Sequence, residues 1–479
     1  MTPSDAQAPL SNANAPNAAH SPALTRAAAS AAARAGRTKL LLNGPIGPTL
    51  AKLAAPNVLA MLVQAAMSIA EGVFASRLGV TALAGLALVF PLVMLTQMLS
   101  AGSMGGAISS AVARALGAGN TARAGGLVWA AWIIAIVIAA LSAILMALFG
   151  ATIFGLLGGG GTVVDAAVTY ASVFFPGCIT LWLCHSTLSV IRGTGNMGTP
   201  SILLLLVSLA TIPLSGALAL GWGPFPALGM AGLAAGMVIS YGVGTLVAVG
   251  YIVSGRAGLS LQAERLHSAL FRDILSVGII ASINSFLTVL TIVLMVGMVG
   301  RHGAAALAGY GLGARLEFLM IPVVFGIGAA MTTMVGANIG AGNKERALRV
   351  AWTGSFAAAA IVGSIGAIVA FAPDLWLGIF LDPQDTEALA AGRWYFRLVA
   401  PFYGFFGLGL ALYFASQGAN RMGWPVIGSL VRISVAFSGA LIMTNFTDWG
   451  VEGVFAAIGC GTVVYGTVMG VSVRITRWR

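Results

Sequence analysis

Two carboxylates, Glu71 and Glu317, lie deep inside long apolar runs of this sequence. The rest of its 13 acidic residues fall in the N-terminal segment, in loops or near the ends of runs. An ionisable side chain inside a membrane-spanning segment is energetically costly and typically has a function. A carboxylate that leaves water favours its protonated form, so a buried Glu can take up a proton and later release it. Both residues are therefore candidates for ion or substrate binding.

Glu71 is the stronger candidate because it ends a polar stripe. Asn57, Gln64, Ser68 and Glu71 are spaced so that they share one face of a helix. We expect this face to point into the protein and Glu71 to bind the coupling ion; the alternative is a structural acid held by Asn or Gln. Pro56 removes a helical hydrogen bond in the same run and is a candidate hinge, or equally a static kink.

The composition places these residues in a membrane protein. Charged residues make up 8% of the chain, against about 25% in soluble domains, and the mean hydropathy is +0.96. Since about 20 apolar residues cross the hydrocarbon as a helix, the sequence predicts an all-α integral membrane protein with twelve transmembrane helices. We call them spans 1 to 12; the runs lie at about 48–75, 82–113, 125–150, 164–190, 200–221, 227–253, 273–299, 306–335, 348–371, 391–415, 424–446 and 450–473.

The sequence is also duplicated. Ala82-Leu83-Ala84-Gly85 and Gly117-Ala118-Gly119-Asn120 recur as Ala306-Leu307-Ala308-Gly309 and Gly340-Ala341-Gly342-Asn343, and Arg77, Tyr170 and Pro176 match Arg301, Tyr395 and Pro401. Because six spans is an even number, the two copies form parallel repeats, whose interface usually contains the transport path. We expect a disordered cytoplasmic tail at 1–45, a six-helix lobe at 46–254, a linker at 255–272 and a second six-helix lobe at 273–479. The glycines of the two turns are expected to be left-handed helix caps.

The distribution of basic residues predicts the topology. Most of the 24 Lys and Arg fall in loops on the side where odd-numbered spans begin, which we call the basic face; the other side keeps Arg77, Arg301, Arg393 and Arg397. Cytoplasmic loops carry such an excess, so both termini are predicted to be cytoplasmic, in a bacterial inner membrane. The positive charge thus indicates topology and not nucleic-acid binding.

The three Cys lie in apolar runs without metal or disulfide spacing, so no metal or cofactor is predicted.

The second half offers a different set of polar residues. Asn284 and Thr288 in span 7 and Tyr310 and Glu317 in span 8 are candidate ion or substrate ligands. Met295 stands where the first copy has Glu71, so Glu71 has no acidic counterpart in the second copy.

Two further charged or titratable residues within spans have more than one interpretation. Glu317 binds a cation or substrate, or else forms a buried pair with Arg432 that fixes helix packing. His185 in span 4 is expected to be an interior histidine and not a proton relay.

These motifs resemble the multidrug and toxic compound extrusion family over about residues 45–475. The resemblance rests on five segments in order: Arg77-Leu78-Gly79, Ala82 to Gly85, Gly117 to Asn120, Arg192-Gly193-Thr194-Gly195-Asn196 and Leu228-Gly229-Met230-Ala231-Gly232. It implies a secondary active antiporter that exports cationic or amphipathic compounds in exchange for protons or sodium ions, by alternating access. The expected partners are a small-molecule substrate, a coupling cation and membrane lipids, around a monomer.

The resemblance also bears on the coupling ion. Glu71 stands six residues before Arg77, where relatives carry Asp in their coupling site. The carboxylate cluster by which some relatives bind sodium is not evident in spans 7 and 10, which favours protons. A flippase for a lipid-linked saccharide is the alternative, but it needs a basic cavity and only Arg315 and Arg432 are intramembrane cations. No constellation typical of an intramembrane enzyme is present in the sequence.

Overall fold

Twelve long apolar helices form the body of the protein. A computed structural model describes residues 22–157, 159–259, 261, 266–476 and 478, and within these residues it contains helices and no strand. The twelve predicted spans are confirmed as helices able to cross a membrane. Spans 1 to 6 are Ile46–Arg77, Val80–Gly117, Thr121–Leu156, Thr162–Gly193, Gly198–Leu220 and Gly229–Val253; spans 7 to 12 are Ser268–Gly300, Ala304–Gly340, Lys344–Phe371, Thr386–Gly418, Gly423–Phe446 and Gly450–Thr476.

The spans pack as two bundles of six, which confirms the two-lobe architecture. Spans 3 to 6 pack on one another in the first lobe, as do spans 9 to 12 in the second. Span 1 packs against span 8, and span 2 against spans 7 and 8, so these four helices form most of the interface between the lobes. Large apolar side chains such as Leu148 and Leu246 point outward and are mostly exposed, as expected where lipid is the solvent.

Two spans contain irregular turns. Span 2 consists of the α-helix Val80–Gln97, the π-helical segment Met98–Met104 and the α-helix Gly105–Gly117. Span 10 consists of Thr386–Val399, a 3₁₀ turn at Ala400–Phe402, and Tyr403–Gly418. The π-helix lies against span 7 of the other lobe. Single π-helical turns of this kind occur mostly at functional sites.

The turns that follow spans 2 and 8 repeat the same geometry. Gly119 and Gly342 have φ values of +77° and +76°, as predicted for left-handed caps, and the side chains of Asn120 and Asn343 cap the next helix. The same prediction for Gly117 and Gly340 is wrong. They are the last residues of their helices, where the two spans cross closely.

This crossing closes the basic face. A Cβ atom on Gly117 would lie 2.0 Å from the carbonyl oxygen of Ala337, and one on Gly340 equally close to that of Arg114. Further along the same helices, the hydroxyls of Ser109 and Thr333 are 3.0 Å apart. The two glycine contacts are related to each other by the repeat, because Gly117 matches Gly340 and Arg114 matches Ala337, so the pseudo-twofold axis passes between spans 2 and 8.

The N-terminal segment differs from the predicted disordered tail. Pro22–Asn43 forms a helix, because its Ala-rich sequence favours helix and its end finds partners at the basic face. Leu41 is buried, and its carbonyl accepts a hydrogen bond of 3.2 Å from Asn338; the carbonyl of Gly44 accepts one from Arg346. Residues 1–21 lie outside the described part of the chain.

The predicted linker is shorter in the structure. Span 7 begins at Ser268, so the end of the predicted linker is helical, and Glu264 and Arg265 lie outside the described residues. The side chains of Arg123 and Asp273 form an ion pair of 2.5 Å that joins span 3 to this extended start of span 7.

Candidate functional site

Glu71 lies inside the first lobe and binds a tyrosine. The residue is 8% exposed, and the hydroxyl of Tyr170 in span 4 donates a hydrogen bond of 2.6 Å to its Oε1 atom. Burial excludes water, and the tyrosine ring stacks on Phe174 with a centroid distance of 5.8 Å. The site thus joins one ionisable group to one hydroxyl, an arrangement that can hold or release a proton.

The other residues of the span 1 stripe also face the lobe interior. Gln64 donates a hydrogen bond of 3.0 Å to the hydroxyl of Tyr241 in span 6. Asn57 is fully buried and accepts one of 3.1 Å from Ser201 in span 5. Ser68 is half-buried on the same stripe. These contacts attach span 1 to its own lobe, and they do not bring Asn57 or Gln64 to the carboxylate of Glu71.

Pro56 and His185 lie beside this polar network. Span 1 continues as one helix through Pro56, so the predicted hinge is at most a local bend in the described conformation. The Nδ1 atom of His185 lies 2.8 Å from the hydroxyl of Ser100, in the π-helical segment, and its ring packs edge-on against Tyr241. This is the buried environment expected of an interior histidine.

The four residues predicted in the second half share one cavity. It has a volume of about 150 Å³ and lies within the second lobe, with span 2 closing it on the side of the first lobe. Asn284, Thr288, Tyr310 and Glu317 all line it. Much of the remaining wall is aromatic: Phe318, Phe325, Phe406, Tyr413, Phe414 and Tyr465.

Glu317 makes the same kind of contact as Glu71. The hydroxyl of Tyr395 in span 10 donates a hydrogen bond of 2.5 Å to its carboxylate. Tyr395 is the repeat equivalent of Tyr170, although Glu317 comes from span 8 and Glu71 from span 1. The sequence matches the two tyrosines as equivalent positions of the repeat. It does not predict them as site residues, because nothing in it indicates which acid each one contacts.

Arg432 lines the same cavity as Glu317. Its guanidinium lies 5.8 Å from the ring centroid of Phe406 and 5.6 Å from that of Tyr465, and its charge interacts with that of Glu317. The guanidinium thus lies beside two aromatic rings. It does not form the close ion pair with Glu317 that is one of the two interpretations of the sequence. The cavity therefore presents one acid, one base and flat apolar walls.

The described residues contain no group of three or more His, Cys, Asp or Glu side chains placed to hold a metal ion. Cys178 and Cys184 are buried and Cys460 is exposed, and all three are free thiols. The chemistry of the two sites therefore depends on carboxylates, hydroxyls and a guanidinium.

The duplicated helices match a known family. A model of the MatE family matches residues 56–216 and 279–442, one segment in each lobe. The chain belongs to the MatE family. MatE proteins are transporters, so this MatE protein is an integral membrane transporter and not an enzyme.

Individual relatives cover nearly the whole MatE protein. An FAD transporter of Shewanella oneidensis is 24% identical over 439 residues, which are 89% of this chain and 94% of the relative. A probable multidrug resistance protein NorM of Thermotoga maritima is 26% identical over 409 residues, 84% of this chain and 87% of the relative. A crystal structure of a MATE protein in complex with MaD3S superimposes with a TM-score of 0.83 at 22% identity, covering 92% of this chain and 98% of that chain.

Proposed function

We propose that this MatE protein is a proton-driven antiporter that exports cationic or amphipathic organic compounds by alternating access. Glu71 exchanges the proton, and the second-lobe cavity receives the substrate. The observation that carries the proposal is the buried carboxylate of Glu71, whose hydrogen bond comes from Tyr170. A proton needs only a carboxylate oxygen, whereas a sodium ion needs a shell of several oxygen ligands.

The closed basic face supports the alternating-access part of the proposal. With the basic face as the cytoplasmic side, spans 2 and 8 separate the cavity from the cytoplasm at Ser109 and Thr333. Parallel repeats change access by rocking one lobe against the other around a central site. Loading from the cytoplasm then requires this crossing to open.

Reconstitution into liposomes tests the proposed coupling. Vesicles containing the protein are given a proton gradient or a sodium gradient, and uptake of a fluorescent organic cation is followed. We expect the proton gradient to drive accumulation and the sodium gradient to have no effect. Accumulation driven by sodium alone, or by neither gradient, would contradict the proposal.

A flavin nucleotide is a second candidate substrate. One relative is named an FAD transporter, and Arg432 beside Phe406 and Tyr465 offers a guanidinium for a phosphate and rings for a flat heterocycle. Uptake of FAD in preference to uncharged riboflavin would favour this substrate. The lipid-linked saccharide flippase has less support, since the cavity places the acid Glu317 beside its one arginine.

A further inference from the structure

A second arginine, Arg192, is buried at the lobe interface without hydrogen-bond partners for part of its guanidinium. The residue is 3% exposed, and neither its Nε nor its Nη2 atom has a partner among the described residues. The hydroxyl of Ser189, in the preceding turn of span 4, is also buried and unpartnered. A buried charge left in this condition is strongly destabilising.

Both side chains line one small pocket between the lobes. About 10 Å³ of it is open to the centre of a water-sized sphere, so the pocket has room for one small ligand. Spans 2 and 4 of the first lobe and spans 8 and 10 of the second contribute to its wall. The polar lining residues are Ser109, Ser189, Arg192 and Thr332.

The chemistry of this lining selects an acceptor with negative charge. The hydroxyl of Ser109 is engaged with Thr333, and that of Thr332 donates to the carbonyl of Phe414. The groups without a partner among the described residues are therefore the Nε and Nη2 atoms of Arg192 and the hydroxyl of Ser189, all of which can donate. No carboxylate of the described residues lines the pocket, and a water molecule would satisfy the donors but leave the charge of the guanidinium uncompensated.

We infer that this pocket binds a small monatomic anion, chloride under ordinary conditions, held by Arg192 and Ser189. Chloride is a spherical ion, larger than a water molecule, and its single charge matches that of one guanidinium. Because the wall comes from both lobes, the bound anion stabilises the conformation in which the basic face is closed. This role is independent of the coupling ion and of the exported compound.

The melting temperature of the purified full-length protein, measured in chloride and in gluconate at equal ionic strength, tests the inference. We expect chloride and bromide to raise it in a saturable manner, as ligands of the folded state do, and bulky gluconate to have no effect. Arg192→Gln should abolish this dependence. Ser189→Ala should weaken the apparent chloride affinity by about threefold to tenfold, the change expected for one hydrogen bond.

Arg114→Gln is the matched control. Arg114 is another arginine near the basic face, but its Nη1 atom donates to the hydroxyl of Ser110 and the carbonyl of Gly418, so the chloride dependence should persist. Chlorine NMR on the wild-type protein gives a test that needs no variant: the chloride line should broaden, and added bromide should reverse the broadening. Equal melting temperatures in chloride and gluconate would overturn the inference. So would a chloride dependence that persists in Arg192→Gln, or a chloride NMR line that does not broaden or whose broadening bromide does not reverse.

Discussion

At the scale of single residues, each buried carboxylate depends on a tyrosine at the same position of the repeat. Tyr170 donates a hydrogen bond to Glu71, and Tyr395 donates one to Glu317. The tyrosine is thus at the same position in both repeats, whereas the acid is on span 1 in the first lobe and on span 8 in the second. The protein therefore has two similar acid sites, and the second one opens into the aromatic cavity that also contains Arg432.

Tyr170→Phe should reduce proton-driven efflux by about tenfold or more, because a hydrogen bond to a charged group contributes about 1.5–3 kcal/mol. The substitution keeps the ring that packs on Phe174 and removes only the donor to Glu71. The measurement is the initial rate of efflux from proteoliposomes at a fixed proton gradient. Tyr395→Phe is the matched control, and an equal loss of gradient dependence in both variants would contradict the assignment of coupling to the first lobe.

The sequence allows the acids to be predicted but not their partners. Glu71 and Glu317 stand out because a carboxylate in an apolar run is rare, and Asn284, Thr288 and Tyr310 follow from helical spacing. Which side chain meets Tyr170 or Tyr395 depends on how whole helices rotate and pack, as does the lack of a partner for Arg192. A single sequence carries little signal for either.

At the scale of helices, the number and approximate positions of the spans were predictable because hydrophobicity sets them, and the repeat was predictable from its matched motifs. The π-helical segment Met98–Met104 was not, since a change of hydrogen-bond register leaves no mark in composition. The N-terminal helix was missed for a similar reason. Its sequence lacks an apolar core, and its order comes from contacts of Leu41 and Gly44 with the second lobe.

Gly340→Ala should lower the melting temperature. Alanine normally stabilises a helix relative to glycine, but here the added Cβ would collide with backbone of span 2, and overpacking costs about 1–3 kcal/mol. The measurement is thermal unfolding in detergent. Gly297→Ala in span 7 is the control, because a Cβ there meets nothing within 4 Å; equal melting of the two variants would contradict the close crossing.

At the scale of the whole molecule, the two lobes meet around a pseudo-twofold axis and are closed at the basic face. The hydroxyls of Ser109 and Thr333 are in contact across this interface, next to the pocket of Arg192. Transport by rocking of the lobes requires these residues to separate in every cycle.

The double variant Ser109→Cys, Thr333→Cys should transport only when reduced, because a disulfide between the lobes would hold the basic face closed. It is made in a background without Cys178, Cys184 and Cys460, the native thiols. Efflux is measured after oxidation and again after addition of a reductant. The two single variants serve as controls; full efflux by the oxidised, cross-linked protein would show that the lobes need not separate there.

The most direct test of the account concerns Glu71 itself. Glu71→Gln keeps the size and polarity of the side chain and removes its proton exchange. In proteoliposomes, the variant should insert normally and still bind the fluorescent cation, but a proton gradient should no longer drive its accumulation, whereas Glu317→Gln should retain a response to the gradient. Accumulation by Glu71→Gln at the wild-type rate would contradict the central claim.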